Sequence, residues 1–261
     1  MTMLDQIIER KRKDVEENKS LYPVKLLEKS VFFSSPCVSF RHYLNRKDKV
    51  GVIAEIKRRS PSKGIINNYV SVERTSIGYM QAGASALSVL TDTPFFGGKN
   101  EDLITARKFN YCPILRKDFM IDEYQILEAK SIGADVILLL ANVLSPEKIK
   151  SFAKLAHELG MEVLLEIREK EELPAVNEYV DAVGVNNRNL KDFSVNVEQS
   201  LQLAPLIPKE FIKVSESGIS EAATIKTLQS AGFKGFLIGE SFMKQSRPEQ
   251  ACARLIREVQ G

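Results

Sequence analysis

The sequence predicts an α/β chain folded as a (β/α)8 TIM barrel behind an N-terminal helical extension. Three observations carry that prediction. From residue 51 onward a unit recurs eight times: a short apolar strand, a charged or glycine-containing loop, then an amphipathic helix. Several helices run into a glycine just before the next strand, at Gly83, Gly133, Gly160 and Gly232, where a left-handed cap would close the turn. The first strand is not followed by the Gly-x-Gly-x-x-Gly of a doubly wound sheet, a fold that also needs fewer strands.

Taken in order, residues 1 to 19 read as an amphipathic helix, with Leu4, Ile7, Ile8 and Val15 on one side and Glu9, Lys11, Lys13 and Glu16 on the other. A shorter segment, Val24 to Lys29, follows, then a helical stretch from Phe40 to Leu44. These pieces precede the first strand and belong to no repeat. Residues 1–48 are therefore expected to pack as an extension on a barrel of residues 49–261, within a single domain, and their loss should disturb a site more than the barrel. The strands are expected at Val52–Ile56, Ala86–Leu90, Ile114–Arg116, Val136–Leu140, Glu162–Glu166, Ala182–Val185, Phe211–Ser215 and Gly235–Ile238. Helices fit at Val72–Ala82, Glu101–Phe109, Glu123–Ile132, Pro146–Leu159, Lys170–Val176, Val197–Ala204, Glu221–Ala231 and Pro248–Val259. The apolar run Val52, Ile53, Ala54, Ile56 has the pattern of a strand buried on both faces.

Composition narrows the function classes. At 44% apolar and 27% charged residues the 261-residue chain is ordinary globular material, not a disordered or fibrous one. A net charge of +3 is too small to imply nucleic acid, and the basic loop Lys57, Arg58, Arg59, Lys63 carries no aromatic residue for stacking bases. Cys37, Cys112 and Cys252 have no metal-ligand spacing and read as reduced thiols. With only His42 and His157, a histidine triad or zinc site is not expected, and His157 reads as a surface or boundary residue. No apolar run is long enough to span a bilayer, and the N-terminus is too charged for a signal peptide, so the expected setting is cytoplasmic.

Sites on such barrels lie at the carboxyl ends of the strands. Collected there are Glu55 and Lys57, two apart and hence on one face; Thr91-Asp92 leading to Phe96; Arg116-Lys117-Asp118-Phe119; Asn142; Glu166; Asn186-Asn187-Arg188; Ser215-Glu216-Ser217-Gly218; and Ile238-Gly239-Glu240-Ser241. Two lysines, several glutamates and an arginine converging on one face are costly to desolvate and suited to acid–base chemistry. Gly218 and Gly239 put small residues in the last two loops, ahead of helices whose amides carry partial positive charge, an arrangement suited to phosphate.

The wording of these stretches is specific. Ile-Ala-Glu-Ile-Lys-Arg-Arg-Ser-Pro-Ser (53–62), Leu-Arg-Lys-Asp-Phe (115–119), Leu-Leu-Glu-Ile (164–167), Gly-Val-Asn-Asn-Arg-Asn-Leu (184–190), Ser-Glu-Ser-Gly-Ile (215–219) and Leu-Ile-Gly-Glu-Ser (237–241) resemble, in order, the motifs of the indole-3-glycerol phosphate synthase family. The resemblance covers residues 51 to about 245 and extends to the helical segment before them. Two positions depart from the pattern: Asn187 stands where the family often has Ser, and Glu240 where some members have Ser.

The resemblance implies ring closure, decarboxylation and dehydration of 1-(2-carboxyphenylamino)-1-deoxyribulose 5-phosphate in tryptophan biosynthesis, with no metal and no cofactor. It implies Glu55, Lys57, Lys117, Glu166, Asn186 and Arg188 as catalytic, with Lys117 the acid for ring closure. Lys57, Ser60, Pro61, Phe96, Phe119, Glu216, Ser217, Gly218, Leu237, Gly239 and Glu240 are expected at the substrate and its phosphate, with Phe96, Phe119 and Leu190 around the aromatic ring. Which carboxylate and lysine serve the dehydration stays open. In the family the first helix lies over the mouth. The expected partner is a phosphorylated small molecule, without nucleic acid or membrane, on a monomer or weak homodimer. No second enzyme of the pathway is expected, the chain stopping at Gly261. The rival readings are a phosphoribosyl isomerase barrel, which usually wants a Cys or Asp on the first strand, and a barrel that binds a sugar phosphate without turnover.

Overall fold

The computed structural model describes residues 2–189 and 193–261. Eight parallel strands close a barrel: β1 (Val52–Ile56), β2 (Ala86–Leu90), β3 (Ile114–Lys117), β4 (Val136–Leu140), β5 (Glu162–Ile167), β6 (Ala182–Asn186), β7 (Ile212–Glu216) and β8 (Phe233–Ile238). Each strand pairs with its sequence neighbours, and β8 closes on β1 through Val52–Phe236, Ile53–Leu237 and Ala54–Ile238. The strands fall where the apolar runs placed them, one or two residues longer at several ends. The glycines at 83, 133, 160 and 232 all have positive φ, as helix-ending turns require.

Period-two alternation builds two cores. Ile53, Ala86, Leu115, Val136, Leu138, Leu140, Leu164, Ala182, Ile212, Val214 and Leu237 form one cluster drawing on every strand, which fills the inside of the barrel. The alternate residues, such as Val52, Ala54, Val89, Val163 and Phe236, pack outward against the helices. Those helices start where local chemistry satisfies their free amides: Ser71 accepts from Arg74 N, Ser145 from Lys148 N with Pro146 following, and Asp122 forms a capping box with Gln125.

One expected helix is tighter than anticipated. Lys170–Ala175 is a 3-10 turn with Pro174 inside it, since proline lacks the N–H that an α-helix needs there. Three short elements carried too few residues for periodicity to reveal: helices Thr93–Phe96 and Glu240–Met243, and a two-stranded hairpin pairing Arg59–Ser60 with Gly64–Ile65.

The extension comprises α1 (Met3–Leu21), α2 (Val24–Leu27) and α3 (Phe40–Leu44), and it divides between the two ends of the barrel. Helix α3 drives Phe40 and Leu44 into the interior cluster, at the end where strands begin. Ser39 Oγ donates to Glu162 Oε1 at 2.6 Å, Arg41 N to Glu162 Oε2 at 2.7 Å, and Val38 N to Asp135 Oδ1 at 2.8 Å. The extension thus fills part of the barrel's base as well as covering its mouth, so its removal would expose the interior cluster in addition to opening the site. Helix α1 lies over the opposite end, where Met3, Leu4 and Ile7 face a cavity. Its buried residues are Ile7, Lys11 and Val15, spaced at one turn. Lys11, expected on the polar face, thus sits in the middle of the buried stripe, because four-residue spacing overrides the charge of its side chain.

Candidate active site

The carboxyl ends of the strands surround a cavity of about 390 Å³, a size suited to a small molecule. Every described residue expected to be catalytic or to touch substrate or phosphate lines it: Glu55, Lys57, Lys117, Glu166, Asn186 and Arg188, together with Ser60, Pro61, Phe96, Phe119, Glu216, Ser217, Gly218, Leu237, Gly239 and Glu240, whereas the strand-end residues Thr91, Asp92, Arg116, Asn187 and Ser215 do not. Leu190 lies outside the described residues. Asn142 does not line the cavity.

Strand register assembles the charged centre. Lys117 ends β3, Glu166 faces inward from β5, and Asn186 and Glu216 are register partners at the ends of β6 and β7. Lys117 Nζ donates to Glu166 Oε2 at 2.9 Å and to Glu216 Oε2 at 2.6 Å. Asn186 Nδ2 donates to the other oxygen of Glu166, Oε1, at 2.9 Å. Beside them Lys57 Nζ donates to Glu55 Oε1 at 2.6 Å, the same-face pair that their spacing predicts.

Electrostatics separates these groups. Burial works against the Lys117 charge, yet Glu166, Glu216 and Glu55 hold its ammonium well above the ordinary lysine range. Burial also opposes ionisation of Glu166, but Lys117 and Asn186 outweigh it and keep this carboxyl below its usual range. Glu216 goes the other way. Burial, reinforced by the charge of Glu166 and only partly offset by Lys117, pushes it up to about 8. The centre therefore sets a charged lysine between two carboxyls of opposite tendency, Glu166 favouring the ionised form and Glu216 the protonated one. Glu216 Oε1 is buried with no hydrogen-bond partner among the described residues.

Glu216 is expected at the substrate or its phosphate, by virtue of the loop it opens. Its carboxylate turns inward onto Lys117, as the end of an alternating strand dictates. Glu240 is also an acid among the phosphate-side loops, and it accepts from Arg188 NH2 at 3.1 Å, with Lys63 Nζ 3.8 Å away. The departure from Ser at this position thus ties the loops after β1, β6 and β8 together.

The two loop glycines answer to protein atoms. A Cβ on Gly239 would stand 2.4 Å from Glu55 Oε1, so this position makes room for a carboxylate of the charged centre. A Cβ on Gly218 would stand 2.4 Å from Val195 Cγ1, and its φ of +75° follows Ser217 at +69°. Two consecutive left-handed residues turn the chain sharply after β7. Asn187 holds that turn: fully buried, it donates through Nδ2 to Ser217 O and to Ser215 Oγ, each at 3.0 Å, and accepts from Ser200 Oγ at 2.8 Å.

An aromatic wall stands opposite. Phe96 and Phe119 lie 6.0 Å apart, centroid to centroid, on the loops after β2 and β3. The resemblance places the first helix over the mouth but does not single out Met3, Leu4 and Ile7 as its cavity-facing residues, and Lys63, Lys244, Phe193 and Val195 join the lining without having been expected there. Amphipathicity marks Leu4 and Ile7 for an apolar face, and only the resemblance says what that face covers. Among the described residues, no group of three or more His, Cys, Asp and Glu side chains converges to hold a metal ion, and no helix is long and apolar enough to cross a membrane.

Comparison with known proteins places this geometry. Among solved structures, the chain is similar to 3-hexulose-6-phosphate synthase from Salmonella typhimurium, with a TM-score of 0.63 at 13% identity over 80% of this chain and 98% of the other. It is also similar to tryptophan synthase subunit alpha from Legionella pneumophila, with a TM-score of 0.59 at 14% identity over 84% and 95%. At such identities the likeness is one of fold. In sequence, the chain is 46% identical over 258 residues to the indole-3-glycerol phosphate synthase of Bacteroides thetaiotaomicron, covering 99% of each. It is 40% identical over 256 residues to that of Acinetobacter baylyi, covering 97% of this chain and 95% of the relative. The family model for indole-3-glycerol phosphate synthase matches residues 4–255, and with the charged centre, the aromatic wall and the glycine loops all in one cavity, the chain belongs to that family.

Proposed function

We propose that this chain converts 1-(2-carboxyphenylamino)-1-deoxyribulose 5-phosphate into indole-3-glycerol phosphate, carbon dioxide and water. The observation that carries this reading is the Lys117 ammonium set between Glu166 and Glu216, with the Glu55–Lys57 pair beside it. Ring closure joins the carboxylate-bearing ring carbon to the ketone carbon, and the ketone oxygen must take a proton as its double bond opens. Lys117 is charged and in the cavity, and it supplies that proton. Lys57 offers the substrate carboxylate a cation before carbon dioxide leaves. Loss of carbon dioxide returns the bonding electrons to the ring and restores its aromaticity. Dehydration then removes hydroxide from one carbon and a proton from its neighbour. Glu166 is the base for that proton, because Lys117 and Asn186 both hydrogen-bond its carboxylate and favour its ionised form, while the surroundings of Glu216 favour the protonated one. Lys57 assists the departing hydroxide, and Glu55 holds Lys57 in place. The aromatic ring lies along Phe96 and Phe119. The phosphate lies at the far rim, against the backbone of the loops after β7 and β8 and near Ser60.

We place this activity in the cytoplasm, with the three cysteines as free thiols. The test is direct, since the chain has no tryptophan. Purified protein mixed with the carboxyphenylamino-ribulose phosphate should give indole fluorescence against a dark background. No fluorescence, with substrate still present by chromatography, would remove the reading. An isomerase would instead deplete substrate without forming indole, but the Glu55–Lys57 pair on the first strand speaks against it.

A further inference from the structure

Lys11 has no place in the chemistry above, yet it is among the most deeply buried charges of the chain, only 5% exposed. Its Nζ lies 2.9 Å from Asp92 Oδ2 and 2.8 Å from Asp118 Oδ1. Those two acids belong to different loops, and each holds a piece of the site. Asp92 ends the run after β2, and its Oδ1 accepts from Phe95 N at 2.8 Å, fixing the turn that presents Phe96. Asp118 stands between Lys117 and Phe119. It accepts from Phe119 N at 2.8 Å and from Thr91 Oγ1 at 2.6 Å, with Arg116 at 3.3 Å. On the other side, Ile7, one turn before Lys11, faces the cavity with Met3 and Leu4.

Stability alone does not call for a lysine here. Between Ile7 and Val15 an apolar side chain would continue the buried stripe, and replacing buried ion pairs by apolar groups is often neutral or better. What a charge adds is dependence on two partners at once. Lys11 is the one ion-pair partner of Asp92 among the described residues, and Asp118 shares it with Arg116, so unseating α1 strips Asp92 of its counter-charge and leaves Asp118 with Arg116 alone. We propose that Lys11 is a positioning residue, a latch through which the seating of the roof helix sets the placement of Phe96, Phe119 and Lys117. This rests on the function proposed above for the cavity that the latch closes.

The test compares K11M, of similar length without the charge, with K11R, which keeps it. Two measurements are made on the full chain: amide hydrogen exchange and steady-state kinetics by indole fluorescence. In K11M, exchange in residues 3–21 should quicken about tenfold or more while the barrel strands keep the parent rates, a local opening. KM should rise about tenfold and kcat fall severalfold, with K11R recovering most of both. Saturating product should slow exchange in α1 of the parent and fail to do so in K11M. If K11M does not fold, D92N takes its place, keeping an oxygen for Phe95 N while losing the charge, and the same pattern is expected at smaller size.

Unchanged exchange in α1 would overturn the proposal. So would faster exchange with kcat and KM within about twofold of the parent, which would make Lys11 a fastening of the helix alone. A parent protein that makes no indole would instead remove the function proposed above, while the exchange rates still report whether the latch seats α1.

Discussion

The two ends of this barrel use the same residue types for opposite purposes. At the base, Asp135, Glu162 and Asp181 stand at or just before the starts of β4, β5 and β6. They accept from backbone amides: Val38 N and Ile114 N on Asp135, Arg41 N on Glu162, and Val163 N on Asp181. Asp181 also meets His157 Nε2 at 2.8 Å, and Asp135 meets the Arg107 guanidinium. These acids fasten α3, with its Phe40 plug, and the helices around it. At the mouth, Glu55, Glu166 and Glu216 stand at strand ends and accept from lysine ammoniums at 2.6–2.9 Å on the wall of the cavity. A carboxylate committed to fixed amides is finished business. One that shares an ammonium with another acid beside a cavity can exchange protons with a ligand. The lesson is that an acid's place along its strand, start or end, foretells its partner and so its use.

The largest test of that contrast is at the mouth. K117A should lower kcat by about 10²–10⁴, the usual worth of a placed proton donor, while the far-UV circular dichroism stays that of the parent. Turnover within threefold would show that the mouth does not depend on this lysine. F40A is the mirror image at the base. Deleting that fully buried ring should cost about 3–5 kcal/mol in denaturant unfolding, with kcat within about threefold at a temperature where the variant is folded. A large loss of kcat without loss of stability would erase the division between the ends.

Gly239 sharpens the contrast within the mouth itself. G239A should push Glu55 from Lys57 and lower kcat by about tenfold, as displacement of one reacting partner does. Product and its dephospho analogue should lose affinity alike in calorimetry. A loss confined to the phosphorylated ligand would mean that the added methyl disturbs the loop's phosphate contacts and leaves Glu55 in place.

The smallest effect concerns pH. Glu216 has its pKa raised in the folded chain from 4.5 to about 8, so its proton is bound more tightly when folded. That contribution is fully present below about 4.5 and lost as pH rises through about 8. E216Q, which cannot ionise, should therefore gain in Tm over the parent between pH 5 and pH 9. The alkaline fall in kcat/KM near pH 8 should disappear in the same variant. A Tm difference independent of pH would mean that Glu216 ionises as an ordinary surface acid does.

Much of this was legible in the residues. Apolar runs of four to six residues, glycine stops and period-two alternation dictate eight strands with Glu55 and Lys57 on one face, and the motifs name the family. These are local signals, because strand pitch and turn conformation depend on a few neighbouring residues. Other features depended on what lies across space. Glu216 reads as a phosphate-loop residue until β6 and β7 are aligned and its side chain meets Lys117. Gly239 reads as a ligand contact alone until β8 closes on β1 and Glu55 comes within 2.4 Å of where its Cβ would stand. Lys11 reads as a solvent charge until two loops about eighty and about a hundred residues away bring carboxylates to it. The extension reads as one lid, yet α1 roofs the mouth and α3 plugs the base. In each case the deciding partner is distant in sequence, and only closure of the barrel sets the distance on which desolvation and Coulomb energy act.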